Sequence, residues 1–318
     1  MSMLPPDPRY IFRSDMDCVH SVLFQINSNI EHLYSGTTTG NVYVWDLKTN
    51  RELLRLSTGK DSCLNLQSTS DDDVLVQHKC GTINHYRITD SQWILEKSFD
   101  TDFCHYCRFE ALSKNEILVP LKSSKVGILC TKTFTLKSEL DPHGFSFSSK
   151  LGEAMVIKAV KNEHDMVLIG YEGGQLVLWD IRQKKVLSSL PIQTCPMALD
   201  FDVSRNVGII GGPSEELQVF NLSNSCSLSD KSKLILKNPG TSVIKIRCDS
   251  KIMSVGCWDS RVRIFSWKSL KPLAVLDQHR DTVHDIAYSS QAVKAYDNKF
   301  LMATAAKDGR IALWDIYN

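Results

Sequence analysis

Residues 301–316 read LMATAAKDGRIALWDI, and this stretch decides the fold. An apolar run leads into a short turn around Asp308-Gly309, and a second, alternating run then ends in Trp314-Asp315. Two such runs on either side of a Gly-containing turn are typical of a β-hairpin. The same pattern occurs in residues 33–47 (LYSGTTTGNVYVWDL) and 167–181 (VLIGYEGGQLVLWDI). This repetition predicts a protein built from copies of one hairpin-containing unit.

Weaker copies fill the sequence between these three, with another apolar residue at the Trp position. The seven residues at this position, called anchors below, are Trp45, Tyr86, Leu129, Trp179, Phe220, Phe265 and Trp314. The steps between anchors are 41 to 50 residues long, close to the roughly 40–45 residues of a four-stranded propeller blade. The longest steps follow Leu129 and Phe265, which predicts extra residues in the connections after blades three and six.

The copies resemble the WD40 family, and the resemblance extends over essentially the whole chain. In that family a His, a Ser or Thr, an Asp and a Trp form a buried hydrogen-bonded tetrad within a blade. The resemblance assigns these roles in the last copy to His279, Thr304, Asp308 and Trp314. Other copies depart from the pattern, because the Asp position is occupied by Thr39, Gly173 and Ser214. We therefore expect an all-β, seven-bladed WD40 propeller whose blades depend mainly on apolar packing.

The two ends of the chain are predicted to share one blade. Tyr10-Ile11-Phe12-Arg13 has the pattern of a short strand, and the last copy is one strand short of a blade. Residues 10–13 are therefore expected to complete the C-terminal blade, which leaves no unpaired sheet edge. This gives a Pro-rich segment at residues 1–9 and a single propeller over residues 10–318.

The composition limits which classes of partner and which cellular compartment are expected. The chain has 37 Lys and Arg against 36 Asp and Glu, and this balance argues against a nucleic-acid binder, which needs a basic excess. It has no apolar run of the roughly 18 residues that a membrane span needs, and its start lacks the features of a signal peptide. The ten Cys are then expected to be reduced thiols of an intracellular protein.

A narrower resemblance rests on five short segments. They are residues 5–8 (PPDP), 170–174 (GYEGG), 238–240 (NPG), 256–267 (GCWDSRVRIFSW) and 271–276 (KPLAVL). They resemble the family of guanine nucleotide-binding protein subunit beta-like protein 1, whose fungal counterparts are the ASTRA-associated proteins. The resemblance implies a non-enzymatic adaptor that works with the TTT co-chaperone complex in the maturation and stability of phosphatidylinositol-3-kinase-like kinases. DNA-damage and growth signalling, and a location in cytoplasm and nucleus, are implied with it.

The same resemblance separates the chain from true heterotrimeric G-protein β subunits. Those proteins bind their γ subunit through a long N-terminal helix in a coiled coil. Here about nine residues precede the first predicted strand, several of them Pro, and no heptads occur. We expect no γ-subunit partner, and a monomeric propeller within a larger complex.

The sequence gives only weak signals for a catalytic or a metal site. Cys104-His105-Tyr106-Cys107 contains a CxxC pair, but a structural zinc site usually needs a second pair. The segment reads as the first strand of a blade, so alternate residues would face opposite sides and pack. The chain has neither a Gly-x-Ser-x-Gly elbow nor a P-loop. No enzyme activity, cofactor or metal is predicted.

Candidate partner-binding residues follow from the hairpin turns. In WD40 propellers the residue before the turn Asp points outward on the top face, and here Trp258, Lys307 and Glu172 hold that position. Trp258 would be either an interface anchor or a side chain packed on a neighbouring blade. Phe145 and Phe147, in the connection 141–152, would either pack down or meet a partner.

Two further segments give alternative hypotheses. Residues 179–182 (WDIR) resemble the docking motif through which WD40 substrate receptors bind cullin-4 ubiquitin ligases, with Arg182 as the docking residue. A second such box is missing in the neighbouring copies, and a plain surface Arg after a strand is the competing interpretation. The Ser-rich stretch 221–233 (NLSNSCSLSDKSK) is predicted to be a mobile loop open to phosphorylation.

Overall fold

The structure, a computed structural model, describes residues 6–59, 61–89, 92–147, 150–161 and 165–317. Within these ranges the chain forms 28 β-strands and two short 3-10 helices. The strands make seven four-stranded sheets, so the predicted all-β, seven-bladed propeller is confirmed. Residues 1–5 of the predicted Pro-rich segment lie outside the described residues.

Six blades are meanders of four consecutive strands. Blades one and two are β2 (Val19–Ile26), β3 (Glu31–Thr37), β4 (Asn41–Asp46), β5 (Arg51–Ser57), β6 (Cys63–Ser68), β7 (Asp73–His78), β8 (Thr82–Thr89) and β9 (Gln92–Asp100). Blades three and four are β10 (Glu110–Ser113), β11 (Glu116–Pro120), β12 (Val126–Cys130), β13 (Thr135–Leu140), β14 (Ala154–Lys161), β15 (Asp165–Tyr171), β16 (Gln175–Asp180) and β17 (Lys185–Pro191). Blades five and six are β18 (Ala198–Asp202), β19 (Val207–Gly211), β20 (Glu216–Leu222), β21 (Leu228–Ile235), β22 (Thr241–Ile246), β23 (Ile252–Cys257), β24 (Val262–Ser266) and β25 (Pro272–Leu276).

Blade seven joins the two ends of the chain. It consists of β26 (Val283–Tyr288), β27 (Met302–Ala306), β28 (Ile311–Trp314) and the N-terminal strand β1 (Tyr10–Phe12). Tyr10 pairs with Leu313 and Phe12 with Ile311. Phe12 is buried, and its ring lies 5.2 Å from that of Trp45. The predicted closure is confirmed, with β1 ending at Phe12 rather than at Arg13.

Every anchor lies in the third strand of its blade. In five blades the pairing of the third with the fourth strand shifts at the anchor, as it does between Val44 and Trp45. Such β-bulges re-aim a side chain relative to its strand. The large anchors Trp179 and Trp314 are fully buried.

The chain divides into two compact units, residues 1–98 with 247–318 and residues 99–246. In each unit a buried Asp on the first strand of one blade bonds to the first strand of the next. In the first unit Asp285 Oδ2 accepts from Val22 N at 2.9 Å. In the second unit Asp200 Oδ2 accepts from Ile246 N at 2.7 Å. The first bond fixes β26 beside β2, and the second fixes β18 beside β22.

Three local expectations are wrong. The Ser-rich stretch 221–233 is a strand end, a turn and a strand start, because β20 runs to Leu222 and β21 begins at Leu228. As a fourth strand, β21 exposes most of its side chains, so its polar sequence resembles that of a loop.

The second wrong expectation concerns the long step between the anchors Phe265 and Trp314. Its extra residues lie inside blade seven, between β26 and β27, with a 3-10 helix at Lys294–Tyr296. The other long step, between Leu129 and Trp179, agrees with the expectation. Its extra residues follow blade three and include a 3-10 helix at Pro142–Gly144.

The third wrong expectation concerns Cys104 and Cys107, which precede the strand rather than forming part of it. Sheet pairing in blade three starts only at Glu110. Burial nevertheless alternates over the segment, since Cys104 and Tyr106 are exposed whereas His105 and Cys107 are buried. Alternating burial requires an extended backbone but no ladder partner.

Candidate protein-interaction surface

The structure brings the four predicted tetrad residues of blade seven together. His279 Nδ1 lies 3.3 Å from both carboxylate oxygens of Asp308, and His279 Nε2 lies 2.8 Å from Thr304 Oγ1. Trp314 Nε1 donates to the same Thr304 hydroxyl at 3.0 Å. This geometry fits a histidine that donates from Nδ1 to the carboxylate and accepts the Thr304 proton at Nε2.

The tetrad holds the hairpin turn that follows β27. Burial raises the pKa of Asp308, but the hydrogen bond from His279 and those from the backbone N–H groups of Arg280 and Arg310 outweigh it and leave the pKa below its ordinary value. Gly309 adopts φ +71°, the left-handed conformation that Gly takes without strain. The ionised carboxylate therefore binds both the turn and the segment before β26.

Lys307 precedes Asp308 and lies on the outside of this turn. Its backbone N–H donates to the Thr282 carbonyl at 2.9 Å. Its Nζ lies 3.6 Å from Asp281 Oδ2, and both side chains are largely in solvent. Such an exposed ion pair contributes little to stability, so Lys307 is free of a large structural role.

The turn of blade six carries Trp258 beside this position. The Trp258 side chain is 41% exposed, whereas Trp267 of the same blade is 2% exposed. Thr282 Oγ1 donates to the Trp258 carbonyl at 3.3 Å, so Thr282 contacts the turns of blades six and seven. We call Trp258, Asp281, Thr282 and Lys307 the Trp258 surface.

Blade six holds its turn without a tetrad. Val255 replaces the hydroxyl residue, and Asp259 binds the Arg263 guanidinium through two hydrogen bonds of 2.9 and 2.6 Å. A bidentate pair of this kind fixes geometry as well as charge. Trp258 therefore stands on a rigid turn, where an exposed aromatic among polar neighbours has the profile of an interface anchor.

The candidate residues of the second unit have different environments. Glu172 is exposed, and its Oε2 accepts from the Glu153 N–H at 3.4 Å. Phe145 is half-buried and meets Trp179 edge-on, with ring centroids 5.4 Å apart. Phe147 packs against the same core cluster. Of the two alternatives for the Phe pair, the structure shows packing.

Arg182, the candidate docking residue, is paired within its own blade. Its Nε donates to Asp165 Oδ2 at 2.5 Å, and 72% of its side chain is exposed. It lines a groove of about 270 Å³ together with Glu116 and Lys137, which form an ion pair of their own. These contacts are those of a surface arginine after a strand.

The CxxC segment does not converge on one point. Cys107 is buried and burial raises the pKa of its thiol, whereas Cys104 is exposed. The two thiols therefore lie in different environments, as the packing interpretation requires.

Sequence reasoning did not single out the cluster of Cys18, His20 and His284. Their potential ligand atoms all lie within 4.8 Å of one another, and the described residues contain no other such group of three. The sequence did contain a signal for this cluster, because the two histidines hold equivalent positions in two copies of the repeat. Val19-His20-Ser21 and Val283-His284-Asp285 stand at the start of the first strand in the first and last copies.

Comparisons with known proteins agree with this fold. Residues 270–315 match the WD40 family, described as "WD domain, G-beta repeat". Guanine nucleotide-binding protein subunit beta-like protein 1 of Mus musculus is 30% identical over 331 aligned positions, which cover 98% of this chain and 97% of the mouse protein. The chain belongs to the family of this WD40 protein.

Fungal relatives extend the comparison. ASTRA-associated protein 1 of Verticillium alfalfae is 21% identical over 392 aligned positions, covering 98% of this chain and 93% of that protein. The same-named protein of Schizosaccharomyces pombe is 38% identical over 81 positions, covering 26% of this chain and 20% of that protein. Membership of a WD40 family with these relatives indicates a scaffold or adaptor that acts through protein–protein contacts.

No helix among the described residues has the length and hydropathy to cross a membrane.

Proposed function

We propose that the protein is a non-catalytic adaptor that works with the TTT co-chaperone machinery in the maturation and stability of phosphatidylinositol-3-kinase-like kinases. Its partners are the TTT subunits and the client kinases, and it works in both cytoplasm and nucleus. The full-length similarity to beta-like protein 1 and the ASTRA-associated proteins supports this class of role. The observation that carries the proposal is the exposed Trp258 on a rigid turn.

The Trp258 surface suits a protein partner for physical reasons. A large aromatic loses little side-chain entropy on binding and removes much apolar area from water. Asp281 and Lys307 supply charges of both signs at its rim, which select a complementary partner more than they add affinity. We place the partner contact on this surface.

The test is affinity purification of the tagged full chain from cells, with TTT subunits and kinases quantified by mass spectrometry. Trp258→Ala is expected to cost about 2 kcal/mol of binding free energy or more, roughly 30-fold in affinity, as for a central interface aromatic. Lys307→Ala should reduce recovery less, because a rim charge mainly affects association rate.

The matched control is Tyr106→Ala, which removes an exposed aromatic in the other compact unit. Recovery should then be unchanged. If the wild-type chain recovers neither TTT subunits nor client kinases, the proposed function is wrong. Unchanged recovery with Trp258→Ala would remove the surface assignment, and a large fall in its melting temperature would show that Trp258 packs on a neighbour.

A further inference from the structure

Cys18, His20 and His284 place one thiol and two imidazoles in a single half-buried cluster of the first unit. Cys18 Sγ lies 3.9 Å from His20 Nε2. The rings of His20 and His284 have centroids 4.6 Å apart and are inclined by 31°. Four-coordinate Zn²⁺ holds N and S ligand atoms about 3.3–3.6 Å apart, as its bond lengths require. The Cys18–His20 pair is therefore within a few tenths of an ångström of ligand spacing.

Local backbone geometry explains why the two histidines meet. The pairing of β2 with β3 shifts between Val19 and Ser21, and that of β26 with β27 shifts between Val283 and Asp285. Each histidine is thus the extra residue of a β-bulge. Bulges turn a side chain away from the regular alternation and are frequent next to functional sites.

The two bulges are held against each other by the blade contact described above. Asp285 Oδ2 accepts from Val22 N, which fixes the start of β26 beside the start of β2. Two hydrogen bonds from Thr38 fix the backbone of Cys18. The Cys18 carbonyl accepts from the Thr38 N–H at 2.9 Å and from the Thr38 hydroxyl at 3.1 Å. In blade two the residue at the bulge is Leu64, which is buried. The histidines are therefore not required by the bulge itself.

We propose that Cys18, His20 and His284 bind one Zn²⁺ ion, with the fourth coordination position left to water or to a side chain of a bound partner. Thiolate and imidazole are the ligands that Zn²⁺ prefers, and three protein ligands with one open position are a known arrangement. Asp17 and Asp281 act electrostatically on Cys18 and favour a cation nearby, whereas the positive charge of Lys307 acts in the opposite sense. Asp281 also belongs to the Trp258 surface.

The test uses the purified full chain, freed of metal with a chelator and then titrated with Zn²⁺ alone by calorimetry. We expect one Zn²⁺ per chain and a rise in melting temperature, because the three ligands come together only on folding and the folded state then binds the ion more tightly than the unfolded chain does. Co²⁺ in place of Zn²⁺ should give a thiolate-to-metal charge-transfer band and the intense visible bands of four-coordinate cobalt. Cys18→Ser should abolish the charge-transfer band. His20→Gln and His284→Gln should each weaken Zn²⁺ binding about 100-fold or more, beyond what loss of an outer-shell partner costs.

The matched controls are Cys195→Ser and His32→Gln, which alter a half-buried thiol and a half-buried imidazole outside the cluster. Both should bind Zn²⁺ as the wild type does. If Cys18→Ser does not fold, the two half-exposed histidine variants still decide the matter. Absence of stoichiometric binding, binding retained in every cluster variant, or binding of Cu⁺ but not Zn²⁺ would each overturn the proposal. The assay needs no cellular partner, so its outcome is independent of the adaptor function.

Discussion

At the scale of single residues, the residue ten positions before the anchor matches the chemistry of that anchor in five of the seven blades. Trp45 and Trp314 each have an indole N–H to satisfy, and they donate it to Ser35 and Thr304 at 3.0 Å. A buried indole N–H needs such an acceptor. The hydroxyl is thus conditional on the tryptophan.

Where the anchor has no donor, the same position is apolar. In blade six, for example, Val255 stands ten positions before Phe265 and is completely buried. Trp179 and Tyr86 are the exceptions, because Ile169 and Val76 at the corresponding positions offer no acceptor to the indole N–H or to the phenolic O–H. Three of the seven blades therefore carry an apolar pair at these positions, and two carry a hydrogen-bonded pair.

A double-mutant cycle on Thr304 and Trp314 tests this matching. Thr304→Val should lower the free energy of unfolding by roughly 1–3 kcal/mol, because it leaves buried donors or acceptors without a partner. Adding Trp314→Phe reproduces the Phe–Val pair of blade six, so part of that cost should be recovered. We expect a coupling energy of about 0.5–3 kcal/mol in denaturant unfolding. Strictly additive effects would show that the two side chains do not act as a pair.

At the scale of the elements, strand β1 has only three residues, but we expect it to contribute strongly to the free energy of unfolding. Its backbone pairs with β28, and Arg9 N adds a hydrogen bond to the Leu313 carbonyl at 2.7 Å. Phe12 reaches the core that blade one shares with blade seven, where Trp45 also packs. Three residues thus connect the two ends of the chain.

Phe12→Ala should lower the free energy of unfolding by about 3–5 kcal/mol, the usual cost of truncating a buried Phe. Tyr10→Ala is the matched control, because it lies on the same strand with 38% of its side chain exposed and should cost at most about 1 kcal/mol. Both are measured by urea unfolding. Equal effects of the two variants would mean that β1 contributes through its backbone alone.

At the scale of the whole molecule, the ten thiols have graded exposure. None of these ten thiols, all of which lie in the described residues, forms a disulfide, and those of Cys80, Cys104 and Cys248 are exposed. A folded protein that reacts with a thiol reagent should therefore show three fast groups, slower reaction of the three half-buried thiols, and protection of the four buried ones. The count should rise to ten in denaturant. A fast count clearly above three would show that the folded core opens more readily than its packing implies.

The sequence predicted the repeated parts of this fold well and the singular parts poorly. Periodicity located the anchors and showed that the last copy lacks one strand, and the resemblance to the WD40 family assigned the tetrad. The strand β21 was missed because its exposed side chains carry no apolar alternation. The cluster of Cys18, His20 and His284 was missed because its members lie near opposite ends of the chain and meet only through two bulges.

The pairing of β1 with β28 has a consequence for biosynthesis. Nearly 300 residues separate Phe12 from Ile311, and a ribosome adds about 5–20 residues per second. On the order of 15–60 s therefore pass before the first strand meets the last one. During that interval β1 has no pairing strand and blade seven is incomplete, so we expect the nascent chain to expose unpaired strand edges, which are sites of aggregation, until β28 has been synthesised.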